Sequence, residues 1–261
     1  PGDASLSGEA TVTLADDAPA RVSGTGKLSA PRLAAYSALL GRPVTGAADL
    51  SVSADGALTD GPLQLSATGT LTDPGIGIAP LDRLLAGETR LEVAAQRAGE
   101  ALRIGRLRVE APAARLSGQG RYAGGAGRAD LALAMPDLSV LAPGLEGAGQ
   151  IDATARLAEG AVELDLSATG PGDASASGAT TVTLADGAPA RVAGQGSVSV
   201  GRLSAFAGGV GRPLSGSLEL SGTGDVTLDG GPLDATLEAT AQDIGLGIPA
   251  LAPLLAGEAR L

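Results

Sequence analysis

Leu63-Gln64-Leu65-Ser66-Ala67-Thr68-Gly69-Thr70-Leu71-Thr72 alternates apolar or small residues with polar ones over ten consecutive positions. Side chains of a strand point alternately to its two faces, so this spacing predicts a strand with one aliphatic and one polar face. The pattern recurs on both sides. It returns in Leu50/Val52/Ala54, Leu91/Val93/Ala95, Ile151/Ala153/Ala155/Leu157, Val162/Leu164/Leu166 and Leu218/Leu220/Gly222/Gly224/Val226/Leu228. In Leu102, Ile104, Leu107 and Val109 the phase slips at Gly105, as a β-bulge requires, while Arg103, Arg106 and Arg108 take the other face. Leu116, Leu131, Leu133 and Leu237 extend the aliphatic set.

Turn-forming residues separate these segments: Asp16-Asp17, Asp55-Gly56, Asp60-Gly61-Pro62 and Asp229-Gly230-Gly231-Pro232. Strands of about 8 to 12 residues joined this way make an antiparallel meander. Four segments carry apolar residues at helical spacing with Gly close behind: Pro31–Leu40, Ile78–Ala86, Leu138–Pro143 and Ile248–Ala256. They are expected to form single helical turns or 3₁₀ plugs between strands.

The chain also repeats itself. At an offset of 170 residues, 1–91 align with 171–261 without a gap and 48 of 91 positions are identical. The domain expectation is a first repeat unit over 1–170 and a partial second unit over 171–261. A large unit in tandem signals an extended array in which each unit contacts its neighbours.

Composition narrows the chemistry. The chain has no His, Cys or Trp, no Asn, one Lys (Lys27) and three aromatics (Tyr36, Tyr122, Phe206). His acid/base catalysis, thiolate nucleophiles, zinc sites built on Cys or His, and disulfides are excluded by inventory. Net charge is −11, which opposes binding to nucleic acid, and the stacking aromatics are missing too. Gly24-Thr25-Gly26-Lys27 fails the phosphate-loop frame because Arg21 and Leu28 stand where Gly and Ser or Thr are needed. Gly118-Gln119-Gly120 lies inside a strand pattern rather than at a strand-to-helix turn. No activated nucleophile, metal-ligand set or cofactor fingerprint remains. The chain is therefore read as a non-enzyme that needs neither metal nor cofactor.

A sheet with one aliphatic face must cover it. The helical segments are too short to do so, and a tightly packed sandwich would need bulkier inner residues than Ala67, Gly69, Gly222 and Gly224. The fold expected is therefore all-β: an elongated antiparallel sheet bent into a hydrophobic trough with short helical interruptions. The lining is either packed by its own protein or holds acyl chains. The candidate lining comprises the residues above: Leu50, Val52, Leu63, Leu65, Leu71, Leu91, Val93, Leu102, Ile104, Leu107, Val109 and Leu116, then Leu131, Leu133, Ile151, Leu157, Val162, Leu164, Leu166, Leu218, Leu220 and Leu237.

Long alternating strands, the interruption Asp137-Leu138-Ser139-Val140-Leu141-Ala142-Pro143, the strand restart Leu39 to Leu50 and the Leu116 to Gly120 segment together resemble the TamB branch of the AsmA-like proteins. The resemblance covers essentially the whole chain. It implies a β-taco groove that shields phospholipid acyl chains while spanning the periplasm of a Gram-negative bacterium. It also implies an inner-membrane anchor outside this sequence, which is then a window from a longer protein, and pairing with an outer-membrane BamA-like barrel through parts outside it. The expected function is that of a periplasmic segment of a bridge-like lipid transfer and outer-membrane biogenesis protein. The alternative is a structural or adhesive repeat module, a β-solenoid or β-sandwich array. Solenoids repeat every 20 to 50 residues or so, which the period of 170 does not match. A weaker third reading has strand edges offered to nascent barrels.

Overall fold

The computed structural model describes residues 3–15, 18–59, 61–185, 188–228, 231, 233–246 and 257–260. Strands account for 68% of the chain and helices for 11%. The chain divides into two compact units, Pro1–Gly124 and Gly125–Leu261. The first holds β1 (Ser5–Ala15), β2 (Ala18–Ala30), β3 (Thr45–Ala57), β4 (Leu63–Gly75), β5 (Glu88–Ala98), β6 (Ala101–Glu110) and β7 (Arg115–Ala123). The second holds β8 (Ala126–Met135), β9 (Gly149–Ala158), β10 (Ala161–Gly170), β11 (Ala174–Ala185), β12 (Ala188–Val200), β13 (Ser215–Thr227), β14 (Leu233–Gly245) and β15 (Glu258–Arg260). Within each unit every strand pairs antiparallel with its neighbours in sequence, and the sheet does not close into a barrel. The all-β antiparallel expectation is met.

Period-two sequence becomes sheet because the register keeps the aliphatic positions on one face. In the first unit Leu6, Leu28, Leu50, Gly69, Leu91, Val109 and Leu116 lie opposite one another in a single row across all seven strands. The next row is Gly8, Gly26, Val52, Ala67, Val93, Leu107 and Gly118, and the third runs from Ala10 through Leu65 and Ile104 to Gly120. The slip at Gly105 is a bulge: Ala94 faces Arg106 and Ala95 faces Ile104, leaving Gly105 without an opposite number. It returns the aliphatic residues of β6 to the common face.

Connections are of two kinds, and at 110–115 and 170–174 a short non-helical loop stands at the end that elsewhere carries helical segments. One end of the strands carries tight turns. The other end carries helical segments: a 3₁₀ turn at Leu33–Tyr36 running into α1 (Ser37–Leu40), then α2 (Ala79–Leu85), and in the second unit 3₁₀ turns at Leu138–Val140 and Leu203–Phe206, the latter running into α3 (Ala207–Val210). Three of the four expected interruptions form there, and Ile248–Ala256 lies outside the described residues. Most of the small core sits at this end too, with Ala57 buried at the other. Ala30, Val44, Ala48, Leu84 and Thr89 are buried in the first unit, and Met135 and Val200 in the second. α2 is tied down by Asp82, which accepts from the Ile76 N–H at 2.7 Å, and Thr89 donates to the Leu85 carbonyl at 3.0 Å.

One feature differs from the sequence expectation. Asp55-Gly56 is not a turn: both residues stay in β3, facing Gln64 and Leu63. Gly56 has φ of +139°, and a Cβ there would meet the Pro62 carbonyl at 2.1 Å, so the glycine serves a close crossing of strands. Asp16-Asp17 and most of Asp229–Pro232 lie outside the described residues. The border of the sequence copies at 170/171 lies between β10 and β11, which pair over ten residue pairs. In a meander each hairpin packs as the next one does, so the border of a copy has no need to be a border of packing.

Candidate apolar groove

The rows described above build the site. Neighbouring strands stand about 4.8 Å apart, so side chains in one row touch across the sheet. The first three rows of the first unit hold no charged or hydroxyl side chain. They border a hollow of about 740 Å³ whose walls include Leu6, Val22, Val52, Leu65, Val93 and Ala95.

All candidate lining residues fall on the aliphatic face of their unit. Leu50, Leu91, Val109 and Leu116 share the first row, Val52, Val93 and Leu107 the second, Leu65 and Ile104 the third, and Leu63 and Leu102 the fourth, with Leu71 one row beyond, beside Ala48. In the second unit Leu133, Ile151 and Leu220 share a row, as do Leu131, Leu166 and Leu237, and Leu157 and Val162. Leu164 and Leu218 occupy rows to either side. None of these side chains is buried. Val52 and Leu65 are 43% and 44% exposed, Leu164 and Leu166 40% and 41%, and Leu237 72%. Seven of the 22 are exposed and the others half-buried, whereas side chains of a packed two-layer core would be almost wholly covered, so among the described residues neither aliphatic face is closed into a core.

The second unit adds a hollow the sequence did not foretell. About 620 Å³ opens on the polar side, against Asp165, Gln195, Thr223 and Glu238. Gly178, Gly196 and Gly222, consecutive members of the Leu131–Leu166–Leu237 row, border it through their backbone and leave that row of the aliphatic face without side chains. Leu166 reaches its wall; the other candidates of this unit do not.

The polar faces are laced by ion pairs. Arg106 pairs with Glu92 at 2.5 Å, Arg156 with Asp165 at 2.6 Å, Arg128 with Asp130 at 2.8 Å, and Arg191 with Asp225. The hydrogen bond and charge of Arg191 hold the Asp225 carboxyl below its ordinary range. Asp137 is lowered by accepting from the Ser139 N–H and hydroxyl, which caps the 3₁₀ turn at Leu138–Val140. These are exposed pairs of the kind that contribute little individually. Arg106 and Arg108 both have acidic partners, matching a solvated face.

Sequence reasoning missed Arg97. The register places it on the aliphatic face, between Leu63 and Leu102 in the fourth row. It bends to the hairpin end, where its Nη2 donates to the Ala57 and Leu58 carbonyls at 3.0 and 2.8 Å and its buried Nε has no partner. The signal was present: Leu91, Val93 and Ala95 count forward by two to Arg97.

Chemically, this arrangement offers apolar surface with polar margins. Among the described residues no cluster of acidic side chains could hold a metal, and no helix is long and apolar enough to cross a membrane. In comparison with known proteins, the chain matches no family model, no curated protein and no solved structure.

Proposed function

We propose that the chain is a periplasmic segment of a bridge-like lipid-transfer protein, in which the aliphatic faces shield phospholipid acyl chains between the inner and outer membranes. The observation that carries this reading is the register: seven strands align into rows that are continuous, apolar and only partly covered. An acyl chain lying on such a face buries about half of its surface. At about 0.8 kcal/mol per fully buried methylene, it gains about 0.4 kcal/mol per methylene at each position. Successive rows offer near-equal environments, which lets the chain slide. Transfer is passive on this account, and the polar face meets water.

The periplasmic setting, the inner-membrane anchor and the pairing with a BamA-like barrel belong to the same proposal and rest on the resemblance to TamB-type proteins. The polar hollow over Gly178, Gly196 and Gly222 favours a second reading for the second unit, a structural repeat module.

Native mass spectrometry of the chain purified from a Gram-negative host separates the two. The lipid reading expects co-purifying phospholipid that is lost in a Leu65→Asp, Leu164→Asp double variant. A folded wild-type chain free of lipid favours the structural module.

A further inference from the structure

One charge stands on the aliphatic face of the first unit. Four rows across seven strands make 28 positions, and the fourth row runs Val12, Val22, Gly56, Leu63, Arg97, Leu102, Tyr122. Arg97 is the sole charged residue among the 28, and Tyr122 carries the sole hydroxyl. Both lie in the row next to the tight turns, so the apolar face meets its polar margin along that row.

Arg97 is held in place without being neutralised. Its Nη2 is spent on the Ala57 and Leu58 carbonyls, its buried Nε has no partner, and among the described residues no carboxylate pairs with it. Arg90, Arg106 and Arg108, on the polar face of the same two strands, each have an acidic partner. Neutral carbonyls fix a guanidinium but leave its full charge, and an unmet N–H beside apolar surface favours any acceptor that reaches it. An anion attached to an apolar tail satisfies both the cation and the three apolar rows beside it.

We propose that Arg97 is a headgroup anchor: it binds the phosphate of a phospholipid whose acyl chain lies on those three rows, and the half-exposed Tyr122 donates its hydroxyl to the same headgroup. This rests on the lipid-shielding reading and adds a place and a sign to it. The headgroup sits at the tight-turn margin, and it is anionic. Size favours phosphate over a fatty-acid carboxylate. Arg97 and Tyr122 stand two strand spacings apart, about 10 Å, a gap that a glycerophosphate group fills and a lone carboxylate does not.

The test displaces a neutral fluorescent acyl probe from the full chain at pH 8 with lysophosphatidylglycerol, monoacylglycerol or free fatty acid, all of one acyl chain. The anchor predicts that lysophosphatidylglycerol binds about three- to tenfold tighter than monoacylglycerol, and that added salt narrows the ratio. A net charge of −11 opposes anion binding, so such a preference reports a local cation. The ratio should fall to near one in Arg97→Gln, whose amide still donates to the turn, and persist in Arg97→Lys. Equal binding of lysophosphatidylglycerol and monoacylglycerol by the wild-type chain overturns the proposal, whatever the variants do. So does a preference that Arg97→Gln retains or one confined to the fatty acid. A preference that appears only in an Asp60→Asn chain also overturns it, by making the turn carboxylate the partner of Arg97. No binding of any of the three refutes the lipid-shielding reading itself, and the anchor with it.

Discussion

Replacing Leu65 with Asp separates a partly covered aliphatic face from a packed core. Leu65 lies in β4 between Ala54 and Ala95 and is 44% exposed, so about 56% of its surface is covered. Full burial of a Leu side chain contributes about 1.5 to 3 kcal/mol, and this fraction of it gives a loss of about 0.8 to 1.7 kcal/mol. The new carboxylate keeps contact with water, so no large burial cost is added. Inside a two-layer core, truncating a Leu costs about 2 to 5 kcal/mol before the charge is counted. Urea unfolding followed by far-UV circular dichroism measures the difference; the chain has no Trp to report by fluorescence. The variant is expected to keep its β spectrum and lose no more than about 1.7 kcal/mol. Binding of a fluorescent fatty acid is expected to fall at least about tenfold at pH 7, because an acyl chain over this position must strip water from the carboxylate. Collapse of the fold, or acyl binding equal to wild type, would refute the reasoning.

Gly69→Val is expected to destabilise the first unit by about 1 to 3 kcal/mol, since a Cβ at Gly69 would lie 2.1 Å from the Asp49 carbonyl; loss of amide exchange protection in β3 and β4 is the readout. Arg97→Met strands the Ala57 and Leu58 carbonyls and should loosen the β3–β4 turn at a cost of about 1 to 3 kcal/mol, seen as faster exchange at Leu58 and Thr59 while β6 and β7 keep their protection. The Asp225 carboxyl is held below its unfolded value by Arg191, so its stabilising contribution is complete above the ordinary carboxylate range and lost as pH falls through the lowered folded value. Asp225→Asn should accordingly flatten the acid limb of a plot of stability against pH, and an unchanged limb would contradict the pairing.

Much of this architecture was legible because strand, face and bulge all follow from a period of two. Leu63 to Thr72 gave the face, and the slip at Gly105 gave the bulge. The helical turns at Leu33–Leu40, Ala79–Leu85 and Leu138–Val140 were visible as apolar spacing followed by Gly. What escaped depends on pairing between distant strands. Asp55-Gly56 reads locally as a turn, yet Gly56 continues β3 because the chain needs room for Pro62. The glycine row Gly178–Gly196–Gly222 comes from three strands, and no local window shows that they align. Arg97 was hidden by its type: a charge in an aliphatic series was counted as its end rather than as a member.

The most direct test of the lipid-shielding account places a photocrosslinking amino acid at Leu65 or at Gln64, adjacent residues on opposite faces of β4, and identifies adducts formed in cells by mass spectrometry. The account predicts phospholipid adducts from position 65 and none from position 64. A folded chain that captures no lipid at position 65, or captures it equally at both, would contradict it.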